Sequence, residues 1–314
     1  MSYQQTLNDD IYLINTGLLG EEVVACYLLK SAGEAAIIET GNYLTAQRIL
    51  EVMTAENVAP EDVKYVIATH VHLDHAGGAS ELLKQLPNAI LLVHPSGYKH
   101  MHDPTKLIAA STAVYGEERF RAMYGDIEAI AAERIEAVED LSSYIFGERE
   151  LFFEHTPGHA YHHFCIWDSL SQGWFTGDTF GLCYKQVKHL PKPLLIPTTT
   201  PSQFDPEALK NSIDKLLAKS PRYMYLTHYG RFDVTSESGD WLKAQIDAYV
   251  EITKQHGAEL TKPEQLAEIL FDYTFNLQKP FNPELSEEAV RQVLKMDLLL
   301  NSQGLLYWYQ KHHS

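Results

Sequence analysis

Three histidines and one aspartate lie within six consecutive positions, directly after an apolar run typical of a buried strand. They are His70, His72, Asp74 and His75. If the chain stays extended past Thr69, the side chains of His70 and His72 point to the same side, because side chains alternate along a strand. Imidazole and carboxylate are the ligands that divalent zinc, iron or manganese prefers where no thiolate is present. The cluster therefore predicts a metal site.

Residues of the same types recur further along the chain, each after a strand-like run and beside glycine or threonine. They are His159, Asp178 and His228. The recurrence matters because the chain carries 15 histidines, so that one cluster alone could reflect composition. Asp74 and His75 are predicted to begin a helix, in which Gly77 and Gly78 let the backbone approach the site closely.

This order of motifs resembles the metallo-β-lactamase fold superfamily in its dinuclear hydrolase form, and within it the glyoxalase-II-like, lactonase-like and related esterase group. The matching motifs are His-x-His-x-Asp-His, Pro-Gly-His, Gly-Asp and a late Thr-His, within about residues 10–235. The resemblance implies an α/β fold of the αββα sandwich type, with the metals at one edge. It also implies a ligand set, in which one ion is held by His70, His72 and His159, the other by Asp74, His75 and His228, and both by a bridging Asp178.

The chemistry that the resemblance implies is hydrolysis of a thioester, lactone or other carboxylic ester by a metal-bridging hydroxide. Two divalent ions are expected, with zinc favoured over iron or manganese. Asp178, which can accept a proton, and Asp74 are the expected catalytic carboxylates. True β-lactamases of this fold usually have cysteine at the position of Asp178, which disfavours antibiotic hydrolysis. The ligand histidines are expected to donate their second ring N–H to carbonyls or carboxylates, including Glu39.

Three other functions stay open at this point. The same pair of ions supports hydrolysis of a small phosphodiester. Iron in the site would support sulfur dioxygenase chemistry, as in other members of the fold. A binding protein could also keep the ligands without turnover.

The composition of the 314-residue chain limits its partners. A formal net charge of −17 disfavours a nucleic-acid surface, because phosphate binding needs clustered lysine and arginine. No apolar run approaches the roughly 18–20 residues of a membrane span, and the first residues lack a secretory pattern. Three widely spaced cysteines favour reduced thiols. We therefore expect a cytoplasmic protein with a small-molecule substrate, without nucleic-acid or membrane partners.

Hydrophobic periodicity predicts strands and βα units in the first third of the chain and helices in two later regions. The predicted strands are 11–15, 23–30, 35–39, 65–68 and 89–93. The predicted helices are 44–56, 76–85, 106–114, 117–124, 127–132, 241–251, 263–272 and 287–300.

The predicted organisation is a catalytic domain over residues 1–235, followed by a helical extension over 236–314 packed on it. A helical insert at about 96–133 interrupts the first domain. Its aromatic and methionine side chains, among them Tyr115 and Tyr124, fit a lid over the substrate and a homodimer interface equally well. The basic stretch at 184–192 favours a solvated loop, with binding of an acidic substrate tail as the alternative.

Overall fold

The computed structural model describes residues 3–184, 190–199, 201–260 and 262–313, except for the side chains of Val114 and Tyr115. Residues 185–189 of the basic stretch and the Tyr115 side chain therefore lie outside the described residues. The strands are β1 (Gln4–Thr6), β2 (Ile11–Asn15), β3 (Ala25–Ser31), β4 (Glu34–Ile38), β5 (Val63–Ile67), β6 (Ile90–Val93), β7 (Ile135–Ala137), β8 (Ser143–Phe146), β9 (Arg149–His155), β10 (Phe164–Asp168), β11 (Gly173–Gly177), β12 (Tyr223–Leu226) and β13 (Gly230–Asp233).

The helices are α1 (Tyr43–Ala55), α2 (Leu73–Ala76), α3 (Ala79–Gln85), α4 (Pro95–His102), α5 (Thr105–Tyr115), α6 (Glu117–Tyr124), α7 (Pro206–Ala218), α8 (Ser238–His256), α9 (Pro263–Gln278) and α10 (Glu287–His313), with 3-10 turns at Pro60–Asp62 and Ala132–Arg134. None of these described helices combines the length and the apolarity that crossing a membrane requires.

The described strands form two sheets. One has seven strands in chain order from β1 to β7, and the other has six in the order β13, β12, β11, β10, β9, β8. The pairs β4/β5, β5/β6 and β6/β7 are parallel, so each needs a crossover connection. These crossovers are α1, then α2 with α3, then α4 to α6. The histidine cluster at 70–75 thus begins the second crossover, directly past the carboxyl end of β5.

Strand β3 is buried on both faces and shows how the layers meet. Cys26 and Leu28 face a core shared with α1 and α3. Tyr27, between them, faces the second sheet, where its ring centroid lies 5.0 Å from that of Phe175 and its hydroxyl donates to the carbonyl of Leu226 at 2.6 Å. Alternation along the strand therefore places the first sheet between helices on one face and the second sheet on the other.

The fold class predicted from the sequence is confirmed, since the chain is α/β with two sheets, a helical insert between β6 and β7, and a helical C-terminal stretch. One local prediction is confirmed with a later start, and another is wrong. The helix expected at 76–85 starts at Ala79, because a turn at Gly77 and Gly78 precedes it, where the N–H of Gly78 bonds to the carbonyl of Gly41. The helix expected at 127–132 is absent, because the N–H of Ile130 bonds to the carbonyl of Met101 instead.

The chain divides into two compact units. The first comprises Met1–His155, His162–Gly177 and Pro221–Asp233, and it contains both sheets and α1 to α6. The second comprises Thr156–Tyr161, Asp178–Ser220 and Val234–Ser314, and it contains α7 to α10. The assignment of residues 1–235 to a catalytic domain and of 236–314 to an extension stays a prediction.

His94, at the start of the insert, is expected to make the protein sensitive to acid. Its Nδ1 accepts from the N–H of Ser96 at 3.1 Å and caps α4. Burial and the neighbouring His155 lower the pKa of His94 from 6.5 to about 4. Because the folded pKa lies below the unfolded one, the unfolded chain binds more protons between these values. The contribution of neutral His94 to the free energy of unfolding is therefore complete above pH 6.5, and it is lost as the pH falls towards 4.

The variant His94→Asn retains a capping acceptor and removes this titration. Between pH 7 and 4.5, we expect the unfolding free energy of the wild type to fall by about 2 kcal/mol more than that of the variant. Urea denaturation at the two pH values measures both changes. Equal losses in the two proteins would contradict the assignment.

Candidate metal centre

Asp74, His75 and His228 form a compact group in the first unit. Their ligand atoms all lie within 4.8 Å of one another. Oδ2 of Asp74 is 3.6 Å from Nε2 of His75 and 3.4 Å from Nε2 of His228. Ligands of one tetrahedral zinc ion, with bonds of about 2.0–2.1 Å, are about 3.3 Å apart. The group therefore has the size that one divalent cation needs.

The short helix α2 and the glycines after it position this group. His72 precedes the first residue of α2, and Asp74 and His75 lie in its first turn, as the sequence predicts. A Cβ atom at Gly78 would lie 2.4 Å from the carbonyl oxygen of Thr40. Only glycine permits this approach, so the role predicted for this position is confirmed.

Hydrogen bonds decide which nitrogen of each ring faces the group. Oε1 of Glu39 lies 2.9 Å from Nδ1 of His75, and the carbonyl oxygen of Val23 lies 3.0 Å from Nδ1 of His228. Both partners are acceptors, so both Nδ1 atoms carry a hydrogen and both Nε2 atoms present a lone pair to the group. The predicted pairing of ligand histidines with carboxylates and carbonyls, including Glu39, is confirmed for these two rings.

Glu39 connects several segments of the site through one buried carboxylate. Besides His75, its Oε1 accepts from the hydroxyl of Thr69 at 2.5 Å and from that of Thr227 at 3.0 Å. Because the Thr69 hydroxyl donates its proton to Glu39, it can only accept from Nδ1 of His70, which lies 3.2 Å away. Glu39 thus orients His75 directly and His70 through a threonine.

Replacing Glu39 with glutamine is expected to lower metal affinity by about 10- to 100-fold, the range typical of groups that hold metal ligands. Glutamine has one oxygen where the carboxylate has two, and its amide would face the backbone N–H of Thr69, which now donates to Oε2 at 3.3 Å. Competition with a chromophoric chelator measures the affinity. The exposed Glu133→Gln is the matched control, and an unchanged affinity in Glu39→Gln would show that Glu39 does not orient the ligands.

His70 and His72 meet in the first unit. Nε2 of His70 lies 2.8 Å from Nδ1 of His72, so the two rings turn to one side, as predicted. The ring of His163 packs 4.8 Å from that of His70. Burial, then the nearby His72, lowers the pKa of His162 to about 3, and the N–H of Val71 donates to its Nδ1 at 3.4 Å. His162 is therefore neutral near pH 7.

His159 and Asp178 form a buried pair in the second unit, with Nε2 3.3 Å from Oδ2. Thr198 sets the orientation of the ring. Its hydroxyl donates to the backbone carbonyl of Asp178 at 2.7 Å, so it accepts from Nδ1 of His159 at 3.1 Å. Nε2 of His159 then presents a lone pair towards the carboxylate. Two acceptors at this spacing fit ligands of a shared cation.

The donor sets of both units suit a divalent cation, because they contain imidazole and carboxylate groups in place of thiolates.

The threonines that bond to the rings or to Glu39 were not among the site residues predicted from the sequence. For Thr69 and Thr227 a signal existed, since each directly precedes a ligand-type histidine. Thr198 carries no such signal, because it lies 20 residues past Asp178 in a stretch without periodicity.

The family model of the metallo-beta-lactamase superfamily matches residues 19–228. This match covers more than half of the chain and includes every predicted ligand. The chain therefore belongs to the metallo-beta-lactamase superfamily. This confirms the resemblance seen in the motifs at the level of the superfamily.

Individual relatives match this chain over only part of their own length. The metallo-beta-lactamase fold-containing protein ST1585 of Sulfurisphaera tokodaii is 28% identical over 174 residues, which are 54% of this chain and 62% of that protein. Thioesterase pkgB of Emericella nidulans is 24% identical over 166 residues, which are 52% of this chain and 38% of that protein. The matches thus span less than two thirds of either relative.

Solved structures establish the fold over nearly the whole chain. The crystal structure of ST1585 has a TM-score of 0.66 at 20% identity and covers 95% of this chain and 99% of that one. The family protein TTHA1429 of Thermus thermophilus has a TM-score of 0.67 at 18% identity and covers 98% and 95%.

Proposed function

We propose that the chain is a metal-dependent hydrolase of thioesters, lactones or other carboxylic esters. The observation that carries this proposal is the group of Asp74, His75 and His228, in which Oδ2 of Asp74 lies 3.6 Å from Nε2 of His75 and 3.4 Å from Nε2 of His228. Further support comes from the superfamily, which consists mostly of hydrolytic metalloenzymes.

We extend the proposal to two ions and seven ligands. One ion would be held by His70, His72 and His159, the other by Asp74, His75 and His228, with Asp178 shared between them. The family match over residues 19–228 supports this set because it includes all seven positions. Zinc is the favoured metal, with iron or manganese as alternatives, since the set combines imidazole and carboxylate without thiolate.

The residues have distinct roles in the proposed reaction. When bound, two divalent ions lower the pKa of a water towards about 7 and polarise the electrophilic carbonyl. Asp178 would accept the proton released as tetrahedral charge collapses. Asp74 is the member of its group that substrate can reach, because its side chain is 23% exposed while those of His75 and His228 are 0% and 9% exposed. The leaving oxygen or sulfur would therefore depart on the Asp74 side.

An acyl substrate is favoured for two reasons. Position 178 is aspartate, whereas β-lactamases of this fold usually have cysteine there. One fungal relative carries the name thioesterase. The net charge of −17 further favours a small substrate over a nucleic-acid polymer.

A parallel assay tests the proposal. Zinc-loaded protein is given an acyl thioester, a lactone, a p-nitrophenyl ester and bis-p-nitrophenyl phosphate, with Asp178→Ala as the control for contaminating hydrolases. We expect the highest kcat/KM on one of the carboxylic substrates. Turnover of the phosphodiester alone would identify a small-molecule phosphodiesterase. Oxygen uptake by iron-loaded protein would favour sulfur dioxygenase chemistry, and loaded protein without any turnover would favour a binding role.

A further inference from the structure

A small apolar cluster joins the helical insert to the metal-ligand motif. Its buried members come from the β2–β3 connection, from the motif and from the insert, and they are Leu18, Val24, Leu73, Phe120, Tyr124 and Ile127. Leu73 lies between His72 and Asp74. The buried apolar cluster therefore begins within one residue of two proposed ligands.

Two hydrogen bonds connect this cluster to the elements that hold the site. The side-chain amide of Asn42, at the start of α1, donates to the carbonyl of Met123 in the insert at 2.6 Å. The carbonyl of Val23 accepts from Nδ1 of His228 at 3.0 Å. Val23 and Met123 are both partly buried against the cluster. The cluster is thus continuous with the group that contains Asp74 and His228.

Helix α5 presents an uncharged face beside this cluster. Leu107 and Ile108 pack against the cluster and remain partly exposed. Ala109, Ala110 and Ala113 are exposed, and α5 has no charged residue after its second position. Surface helices ordinarily carry charged residues on the outer face. The neighbouring α6 does so, with four charged residues among eight.

The size of these side chains favours a chain-like ligand over a second copy of the protein. Stable protein interfaces bury about 800 Å² per partner around large aromatic or arginine anchors. The exposed alanines supply neither, on a helix about 16 Å long. An exposed methyl-lined face on a helix that packs against the same cluster as Leu73 fits a flexible alkyl chain instead.

We propose that the substrate carries an extended apolar acyl chain, which lies along Leu107, Ile108 and Ala110 while its carbonyl reaches Asp74. This inference rests on the proposed hydrolase function. Each methylene transferred from water to such a surface should raise kcat/KM by about fourfold when fully buried and about twofold when half buried. Activity should therefore rise steadily with chain length.

Three zinc-loaded proteins test this inference: the wild type, Ala110→Glu, and Ala122→Glu as the matched control on an exposed position of α6. The kcat/KM for straight-chain thioesters from acetyl to decanoyl should rise by about two- to fourfold per methylene in the wild type and in Ala122→Glu. Ala110→Glu should flatten this slope, because its carboxylate stays hydrated beside the chain. Melting temperatures establish that both variants fold, and Ile108→Ala, which shortens the apolar contact, provides a second reduction of the slope.

Calorimetric binding of straight-chain carboxylates, the products, adds a readout that needs no turnover, and sedimentation gives the oligomeric state. A flat slope in the wild type would overturn the inference. So would a wild-type dimer that Ala110→Glu makes monomeric while the slope stays unchanged. If no thioester is hydrolysed, but carboxylate affinity rises with chain length and loses this dependence in Ala110→Glu, the hydrolase proposal fails and the apolar site stands. Absence of both hydrolysis and chain-length-dependent binding would overturn both proposals.

Discussion

Replacing Asp178 with alanine is expected to reduce kcat/KM by about a thousandfold or more while the protein stays folded. This exceeds the 10- to 100-fold typical of groups that only orient metal ligands, because the carboxylate is proposed to bind both ions and to accept a proton. The fold should tolerate the change, since Thr198 bonds to the backbone carbonyl of Asp178 rather than to its carboxylate. Steady-state kinetics under metal-replete conditions measure the loss.

The control for this variant is Asp126→Ala, which removes a carboxylate that is 89% exposed. It should retain wild-type kcat/KM. Melting temperatures are compared after chelation, because bound metal stabilises the folded state and would otherwise hide the effect of the side chain itself. A fully active Asp178→Ala enzyme would remove Asp178 from the proposed centre.

The positions of His70 and His72 were predictable because a strand pattern ends, and a helical pattern begins, at these residues. An apolar run followed by His70 and His72 indicates that β5 leaves the core there, and the start of α2 at Leu73 follows from the helical spacing of the next residues. The glycine at position 78 was also predictable, because a strand-to-helix turn beside another backbone requires a residue without Cβ.

The contacts that orient the rings were predictable only in part. Glu39 was expected as an acceptor for the second ring N–H of a ligand histidine. It ends a buried strand, where a carboxylate must find donors. Its bond to Thr69 depends on the pairing of β4 with β5. Its bond to Thr227 depends on how strands of different sheets approach each other. Local patterns encode neither of these contacts. The partner of His159 was not predictable at all, because Thr198 lies 39 residues away.

The helix wrongly expected at 127–132 shows what periodicity does not determine. Residues 127–132 have helical spacing of apolar side chains, but Ile127 and Ile130 are buried in different clusters. A backbone bond from Ile130 to Met101 replaces the helical bond. Hydrophobic periodicity indicates which residues are buried, but it does not indicate whether they pack against the same part of the protein. Tertiary contacts therefore decide whether such a segment becomes a helix.

Metal-replete wild-type protein is expected to contain about two divalent ions per chain, and their removal is expected to abolish hydrolysis. Seven ligand-type residues exceed what one tetrahedral ion can use, whereas two ions that share a carboxylate account for all of them. Elemental analysis of protein never exposed to chelator gives the stoichiometry. Thermal unfolding after chelation should show a lower melting temperature, since an ion present at about 1,000 times its Kd stabilises the folded state by about 4 kcal/mol.

Single-ligand variants separate the two ions. His228→Ala removes one member of the group that also contains Asp74 and His75, so this variant should lose one ion and keep the other. His159→Ala should lose the other ion instead, because Asp74, His75 and His228 form a complete set of donors within 4.8 Å by themselves. If the two ions form one catalytic centre, each variant should contain about one ion, and both variants should have strongly reduced activity. One ion or fewer in the wild type under replete conditions would exclude the dinuclear centre, and two ions retained in His159→Ala would remove His159 from the ligand set.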